Sequence, residues 1–575
     1  MDQKKLNAHA WMNWFDILLF ICLAYMLWYV VGQNARLLDF VSVQPVYGID
    51  YIFMVMTIVL LLIAVYRTLG IVLTIFIAVF ILYAFTSPYL PGILFTKGKT
   101  FAKFIKQFCV GMTMGESGVF GTPLYTSANT LFYFIVFGAF FSSMGGGQLL
   151  IDIGMKFSNK SSGGPAKAAV ISSGLMGMIS GSAVANVATT GVMTIPMMKK
   201  TGYPPEFAGA VEAASSTGGQ IMPPIMGAGA FIMAEIIGVQ YAQIAAAAVL
   251  PAVAYFLAVF ILVHMIAKKK GLGKDSGVHY EGKPILPRVY RLLPIIVLVI
   301  MIIMGYSLPR SAIYCTIFSI IIAAISPETR MGPRKLLQTL MDGVRQAANI
   351  AIPTAACGIM IGIVVNSGVA VKIAKLIGTS GEGSLFIALL IAALGCLLLG
   401  MALPTVAAYL VGVILFVPCL RALGISALCA NMFVFYYGIM AQITPPVCVA
   451  SYTAAGIADA NAMKTGIKGF TFAMVGFLVP FVFVYNPAIL LEGTMVEIII
   501  AYCIVIAATY LLACGIAGYL FRPLKMWERI ACYVVAFIFI LPSSMSDIIG
   551  IAGCALIMAY CFMTGKKNTN KAQPA

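Results

Sequence analysis

Apolar residues run through this chain in long stretches, without the i, i+3, i+4 spacing of a half-exposed helix or the alternation of a half-buried strand. Stretches that read as spanning helices occupy residues 14–32, 51–66, 68–87, 125–143, 242–266, 292–307, 311–325, 384–400, 468–485, 496–521, 529–542 and 547–563. Three further segments, roughly 168–235, 345–366 and 401–456, are as apolar but interrupted by Gly, Pro, Ser and Thr. Lipid admits only helices or closed barrels, and barrel strands alternate. The pattern therefore predicts an all-α polytopic membrane protein.

The interruptions repeat. Pro196-Met-Met-Lys-Lys-Thr-Gly202 and Gly219-Gln220-Ile-Met-Pro223-Pro224 return about 220 residues later as Pro418-Cys-Leu-Arg-Ala-Leu-Gly424 and Ala441-Gln442-Ile-Thr-Pro445-Pro446, all at one offset. Each copy opens on another broken element: Ser180-Gly181-Ser182-Ala-Val-Ala-Asn186-Val-Ala-Thr189-Thr190-Gly191 in the first and Gly400-Met401-Ala402-Leu-Pro404-Thr405 in the second. Here the offset slips by about three residues. Paired helix-breaking segments at matching places in two halves point to a transporter's binding site. The repeats occupy roughly 168–265 and 385–485, within a module at 119–490; residues 1–118 form a preceding membrane block and 491–575 add spans without the motif. Whether the copies are inverted turns on the number of crossings between them, which the interrupted segments leave open.

Composition sharpens this reading. The chain has 575 residues, 61% hydrophobic and 10% charged, too little polar surface for a soluble globule. Its net charge of +17 does not imply a nucleic-acid partner, because the bases crowd into short loops: Lys4 and Lys5, then Lys268, Lys269, Lys270, Lys274, Lys283, Arg288 and Arg291, then Lys566, Lys567 and Lys571. Basic loops mark the cytoplasmic side, which puts both termini and the central loop inside. Lys97, Lys99, Lys103 and Lys106 break that count, and Phe101, Phe104, Ile105 and Phe108 beside them suit an interfacial amphipathic helix. The 13 cysteines lack a C-x-x-C pair and read as small core residues. No H-E-x-x-H, Walker A or G-x-S-x-G pattern appears, which argues against a hydrolase or an ATP-driven pump and implies no catalytic residues.

The Pro-Pro pairs should unwind a helix, since proline lacks the N–H and clashes with the preceding turn. Recurrence with Gln220 and Gln442 at equivalent places favours function over a plain kink. Ser180, Ser182, Asn186, Thr189 and Thr190 form a polar patch whose oxygens suit Na⁺, although Ser and Thr also simply pack helices. Glu212 lies in a stretch of small apolar residues; an ionisable group there could carry a coupled proton. Glu235 reads equally as a second such group or as a solvated helix end.

At Ser180–Asn186, Ala213–Pro224 and Tyr437–Pro446 the chain resembles TRAP transporter permeases. The likeness covers 119–490 for the large subunit, with 1–118 in the place of the small one, so it resembles fused permeases. Gly218-Gly219-Gln220 below Glu212, with the extra C-terminal spans, is similar to the TAXI branch. The resemblance implies two re-entrant hairpins and an elevator motion. It implies cation-coupled import of a small organic anion, often a dicarboxylate, handed over by an extracytoplasmic solute-binding protein at the inner membrane of a bacterium or archaeon.

The same resemblance places substrate and ion at the first hairpin tip (Ser180, Gly181, Ser182, Asn186, Thr189) and the first break (Thr217, Gly218, Gly219, Gln220, Pro223). It also places them at the second tip (Met401, Ala402, Pro404, Thr405) and the second break (Gln442, Thr444, Pro445). It implies no cofactor beyond a coupling cation, typically Na⁺, while Glu212 keeps H⁺ open. A symporter without a binding protein is the alternative; a channel or a membrane-embedded enzyme fits the paired breaks less well.

Overall fold

The computed structural model describes residues 3–33, 46–92, 95–96, 101–109, 118–157, 163–272, 283–369, 371–372, 384–401, 403–539 and 544–571. Every regular element among them is helical, apart from one isolated bridge between Tyr519 and Pro523. Eleven of these helices are long and apolar enough to cross a membrane. The interrupted segments supply two of them, Pro333–Ser367 and Thr405–Ala422. The span expected at 529–542 is shorter, a helix over Met526–Ile538, and its last residues lie outside those described.

Two compact units are present, the first made of Met1–Ala128 with Ala348–Lys375. It holds α1 (Gln3–Gly32), α2 (Gly48–Leu69), α3 (Ile71–Thr86) and α4 (Phe101–Phe108). Asp50, fully buried in the first turn of α2, accepts from the Tyr29 hydroxyl and from the Tyr47 N–H at 2.8 Å, so its charge is hydrogen-bonded where the helix dipole also favours it. The helix α4 forms as the amphipathic spacing predicts, with Lys103 and Lys106 exposed and Phe108 buried; Lys97 and Lys99 lie outside the described residues.

The second unit comprises Asn129–Ala347 and Leu376–Ala575. Its first half contains most of α5 (Thr122–Ser143), then α6 (Gly146–Phe157), α7 (Gly164–Ser180), α8 (Ala183–Lys200), α9 (Pro205–Gly219), α10 (Gly229–Ile237) and α11 (Tyr241–Lys270). After α12 (Leu286–Ile303), α13 (Leu308–Ile325) and α14 (Pro333–Ser367), which runs on into the first unit, come α15 (Leu385–Gly400), α16 (Thr405–Ala422), α17 (Ala427–Met440), α18 (Val449–Ala458) and α19 (Ala462–Tyr485). The chain closes with α20 (Met495–Ala517), α21 (Met526–Ile538) and α22 (Ser544–Lys571).

The repeat is visible in backbone detail. Gly202 and Gly424 end α8 and α16 at φ +88° and +86°, conformations that favour glycine. The N–H of the following residue bonds back in both copies, Tyr203 to Met198 O and Ile425 to Leu420 O. Met226 and Cys448, again equivalent, are both at positive φ inside the breaks. Both Pro-Pro bonds are cis. The helices that leave the hairpin tips start at Ala183 and Thr405, the same separation as Gln220 to Gln442. The offset slip is thus confined to the tips: Gly181 and Ser182 make the first, residues 401–404 the second.

Each half sends one half-helix across to the other. From the second half, α18 packs on α8 and α9; from the first, α10 packs on α16 and α17. Small residues permit a close crossing of α7 and α9, where a Cβ on Gly177 would lie 2.7 Å from Gly219 Cα. None of the 13 cysteines forms a disulfide, and all but Cys22 and Cys503 are buried.

Candidate functional site

The two breaks and the second hairpin tip meet in a ring of three side chains. Thr405, first residue of α16, donates to Gln220 Oε1 at 2.5 Å and accepts from Gln442 Nε2 at 2.6 Å. A long contact of 3.5 Å from Gln220 Nε2 to Gln442 Oε1 closes the ring. All three residues are buried. Proline explains how the chain reaches this geometry: Pro223-Pro224 and Pro445-Pro446 cannot continue the helical ladder, so α9 and α17 both stop just short of their Gln. Carbonyls inside the breaks are not left bare. Tyr241 donates to Pro224 O at 2.8 Å, and Tyr452 donates to the equivalent Pro446 O.

A second cluster surrounds Glu212. Its carboxyl is fully buried and receives hydroxyl donors from three helices: Ser173 of α7, Thr190 (2.5 Å) and Thr194 (2.5 Å) of α8, and Ser216 (3.2 Å) of its own α9. No basic side chain pairs with it among the described residues. A buried carboxylate without a partner costs several kcal/mol, whereas each hydrogen bond to a charged group returns about 1.5–3 kcal/mol. Four such bonds can therefore offset much of the cost of the charge. Asn186 adjoins, donating to Ser173 O at 2.8 Å and Ser216 Oγ at 3.1 Å, while its own buried Oδ1 has no donor.

Residues 54–498 match the family described as "Tripartite ATP-independent periplasmic transporter, DctM component". The chain belongs to that family. This permease is also 26% identical over 325 residues to the uncharacterized protein YgiK of Salmonella typhimurium, covering 55% of this chain and 72% of that one. It is 29% identical over 157 residues to the C4-dicarboxylate TRAP transporter large permease protein DctM of Pseudomonas aeruginosa, 27% of this chain and 34% of that one. The permease thus spans about a third of that named relative in the aligned region. Membership makes it a transporter component and not an enzyme, and with its apolar helices a multi-pass protein of the inner membrane.

The permease places its other expected site residues unevenly. Ser180 ends α7, Gly181 makes the turn of the first tip at φ +62°, and Ser182 caps α8 by accepting from Ala185 N at 3.4 Å. Thr189 is exposed and bonds its own helix at Ala185 O, 2.9 Å away, whereas Thr190 next to it is buried. Thr217 and Thr444 likewise donate to their own helices, at Ala213 O and Met440 O. Gly218 lies under the Tyr255 ring, where a Cβ would come within 2.2 Å, and Gly219 lies against Gly177. Pro223 and Pro445 are half-buried within the breaks; Met401 and Pro404 flank the second tip. Ala402 lies outside the described residues. Glu235 is exposed at the end of α10, the solvated alternative.

Sequence reasoning missed Ser173, Thr194 and Ser216 as partners of Glu212. Spacing carried part of the signal: Asn186, Thr190 and Thr194 recur every fourth residue, as do Glu212 and Ser216, which puts each set on one helix face. The cluster also belongs to one half. At the repeat offset, Asn186, Thr190, Thr194, Glu212 and Ser216 are matched by Ala408, Gly412, Phe416, Val434 and Gly438.

Proposed function

We propose that this permease imports a small organic anion, of the dicarboxylate or a related carboxylic acid class, driven by a cation and supplied by an extracytoplasmic solute-binding protein. In this reading residues 1–118 act as a fused small-subunit scaffold, 119–490 as the transport module and 491–575 as added helices, in the manner of the TAXI branch. The family match opens at residue 54, so what lies ahead of it is 1–53. The two halves are inverted about the ring, and transport proceeds by an elevator motion. Paired broken segments and half-helices exchanged between the halves support this.

The ring of Gln220, Thr405 and Gln442 carries the proposal. It joins equivalent residues of both halves at the N-terminus of α16, where free N–H groups and the helix dipole favour a carboxylate without a basic side chain. Substrate arriving there exchanges its oxygens for the ring's own hydrogen bonds. The Glu212 cluster fits the coupling ion: it offers a carboxylate, hydroxyls and the buried Asn186 Oδ1, a set of hard oxygens suited to Na⁺ or to a proton on Glu212. Ser216 belongs to the same α9 that ends at Gln220, so ion and substrate share one helix.

Uptake of labelled dicarboxylates and glutamate into proteoliposomes, under an imposed Na⁺ or proton gradient and with or without the binding protein, tests this. Saturable uptake that needs the binding protein and one gradient is the expected result. Uptake without the protein establishes the lone symporter instead, and flux that does not saturate establishes a channel.

A further inference from the structure

Outside the site just described, the strongest unexplained feature is a buried charge at the basic end of the second unit. Three cations and two carboxylates gather where α12 begins. Lys283 pairs with Glu328 at 2.9 Å, and Arg288 pairs with Asp152 of α6 at 2.6 Å. Arg291 is left over. It is 6% exposed, forms no hydrogen bond or ion pair among the described residues, and its Nε is buried without an acceptor. Its guanidinium lies over the Tyr290 ring, 5.8 Å from the centroid, and Glu328, close enough to feel its charge, makes its ion pair with Lys283 instead. A buried guanidinium with no hydrogen-bonded counter-ion is expensive and leaves a place for a further anion.

What faces Arg291 is a turn built for an anion. Met144-Gly145-Gly146-Gly147 links α5 to α6, with Gly145 at φ +84°. A Cβ on Gly145 would lie 2.7 Å from Arg291 Nη1, so only glycine lets the guanidinium lie against the turn. Directly beyond, Gly146, Gly147 and Gln148 open a helix of 12 residues, and the N–H groups of such a first turn have no acceptor within the helix. Arg291 is not spent on closing α5, since it donates to none of that helix's terminal carbonyls. Fork, free N–H groups and the positive end of a helix dipole together match a tetrahedral oxyanion.

We propose that Arg291 and the Gly145–Gly147 turn bind the phosphate group of an anionic phospholipid. The source follows from the surroundings. Leu286, Val289 and Leu293 of α12 are exposed beside the two arginines and offer acyl chains an apolar track, and Lys268, Lys269 and Lys270 end the neighbouring α11 on the basic end. Basic pockets between spanning helices on the positive side suit such head groups.

The test is native mass spectrometry of the full chain purified with equal dioleoyl-phosphatidylglycerol and dioleoyl-phosphatidylcholine. Wild type is expected to retain phosphatidylglycerol at least about fivefold over phosphatidylcholine, the value of one buried arginine contact. Arg291→Gln abolishes the preference, and Gly145→Ala does the same by displacing the guanidinium. A parallel arm measures the Tm of delipidated wild type in millimolar inorganic phosphate against chloride at matched ionic strength. A phosphate-specific rise without a lipid preference supports the oxyanion site and names free phosphate as its source. Equal retention of both lipids by wild type with no phosphate effect overturns the proposal, as does a lipid preference that survives Arg291→Gln.

Discussion

Gln220 and Gln442, 222 residues apart in the chain, touch side chain to side chain with Thr405 bonded to both. Equivalent residues of two repeats can meet only close to the operator that relates the repeats. The contact therefore marks the centre of the repeated region, and both breaks are needed to make it.

Thr405→Val keeps the shape of the ring but leaves Gln220 Oε1 and Gln442 Nε2 buried without their main partner. Each loss costs about 1–3 kcal/mol. Uptake is expected to fall at least tenfold and Tm to drop, while Thr405→Ser stays close to wild type in both. Unchanged uptake by the valine variant would take the ring out of the transport site.

Glu212→Gln preserves volume and removes the charge from its hydroxyl cage. Cation-driven accumulation is expected to disappear while exchange of labelled for unlabelled substrate continues, because exchange needs no net movement of the coupling ion. Accumulation at the wild-type level would sink the coupling role.

Thr194 and Thr189 give a paired test on one helix. Thr194 donates to Glu212 at 2.5 Å, whereas the exposed Thr189 bonds only its own backbone. Thr194→Val should weaken accumulation at least about tenfold, consistent with loss of a bond to a charged group worth about 1.5–3 kcal/mol. Thr189→Val should change stability by no more than about 0.5 kcal/mol and leave uptake alone. Equal effects in uptake assays would show that the hydroxyl cage has no bearing on coupling.

Gly177→Ala would set a methyl group 2.7 Å from Gly219 Cα, and neither backbone can yield easily. A loss of about 1–3 kcal/mol is expected from such overpacking, seen as a lower Tm together with reduced uptake. Gly456, inside α18, is the control, because a methyl group there would meet no atom within 4 Å. Gly456→Ala should raise stability by about 0.5–1 kcal/mol.

Much of this was legible in the residues themselves. The Pro-Pro pairs and the glutamines at one offset gave the breaks, since proline's missing N–H acts locally and needs no tertiary context. The partners of Glu212 were harder, because Ser173, Thr190 and Ser216 come from three helices whose relative rotation the sequence does not state. Thr189 and Thr190 show the limit plainly: adjacent hydroxyls of α8, one exposed and one buried, cannot be told apart until the buried face is known. The apparent slip between the hairpins had a similar cause. Residues inserted in a tip shift the preceding helix against its copy and leave the following one in register. The span expected from 529 begins three residues earlier, at Met526, because apolar composition alone does not say where a helix starts.

The exchange of half-helices has a consequence for biosynthesis. α9 is buried from Phe207 to Gly219, and part of its cover, α18, starts 230 residues after α9 ends (449 − 219). At ordinary elongation rates that wait is on the order of 10–40 s. During it a helix bearing Glu212 and a run of small residues has α7 and α8 beside it but lacks the rest of its cover, and it has too little apolar bulk to rest that face in lipid. Its natural refuge is the insertion machinery, and assembly of this permease is then paced by the ribosome's arrival at its second half.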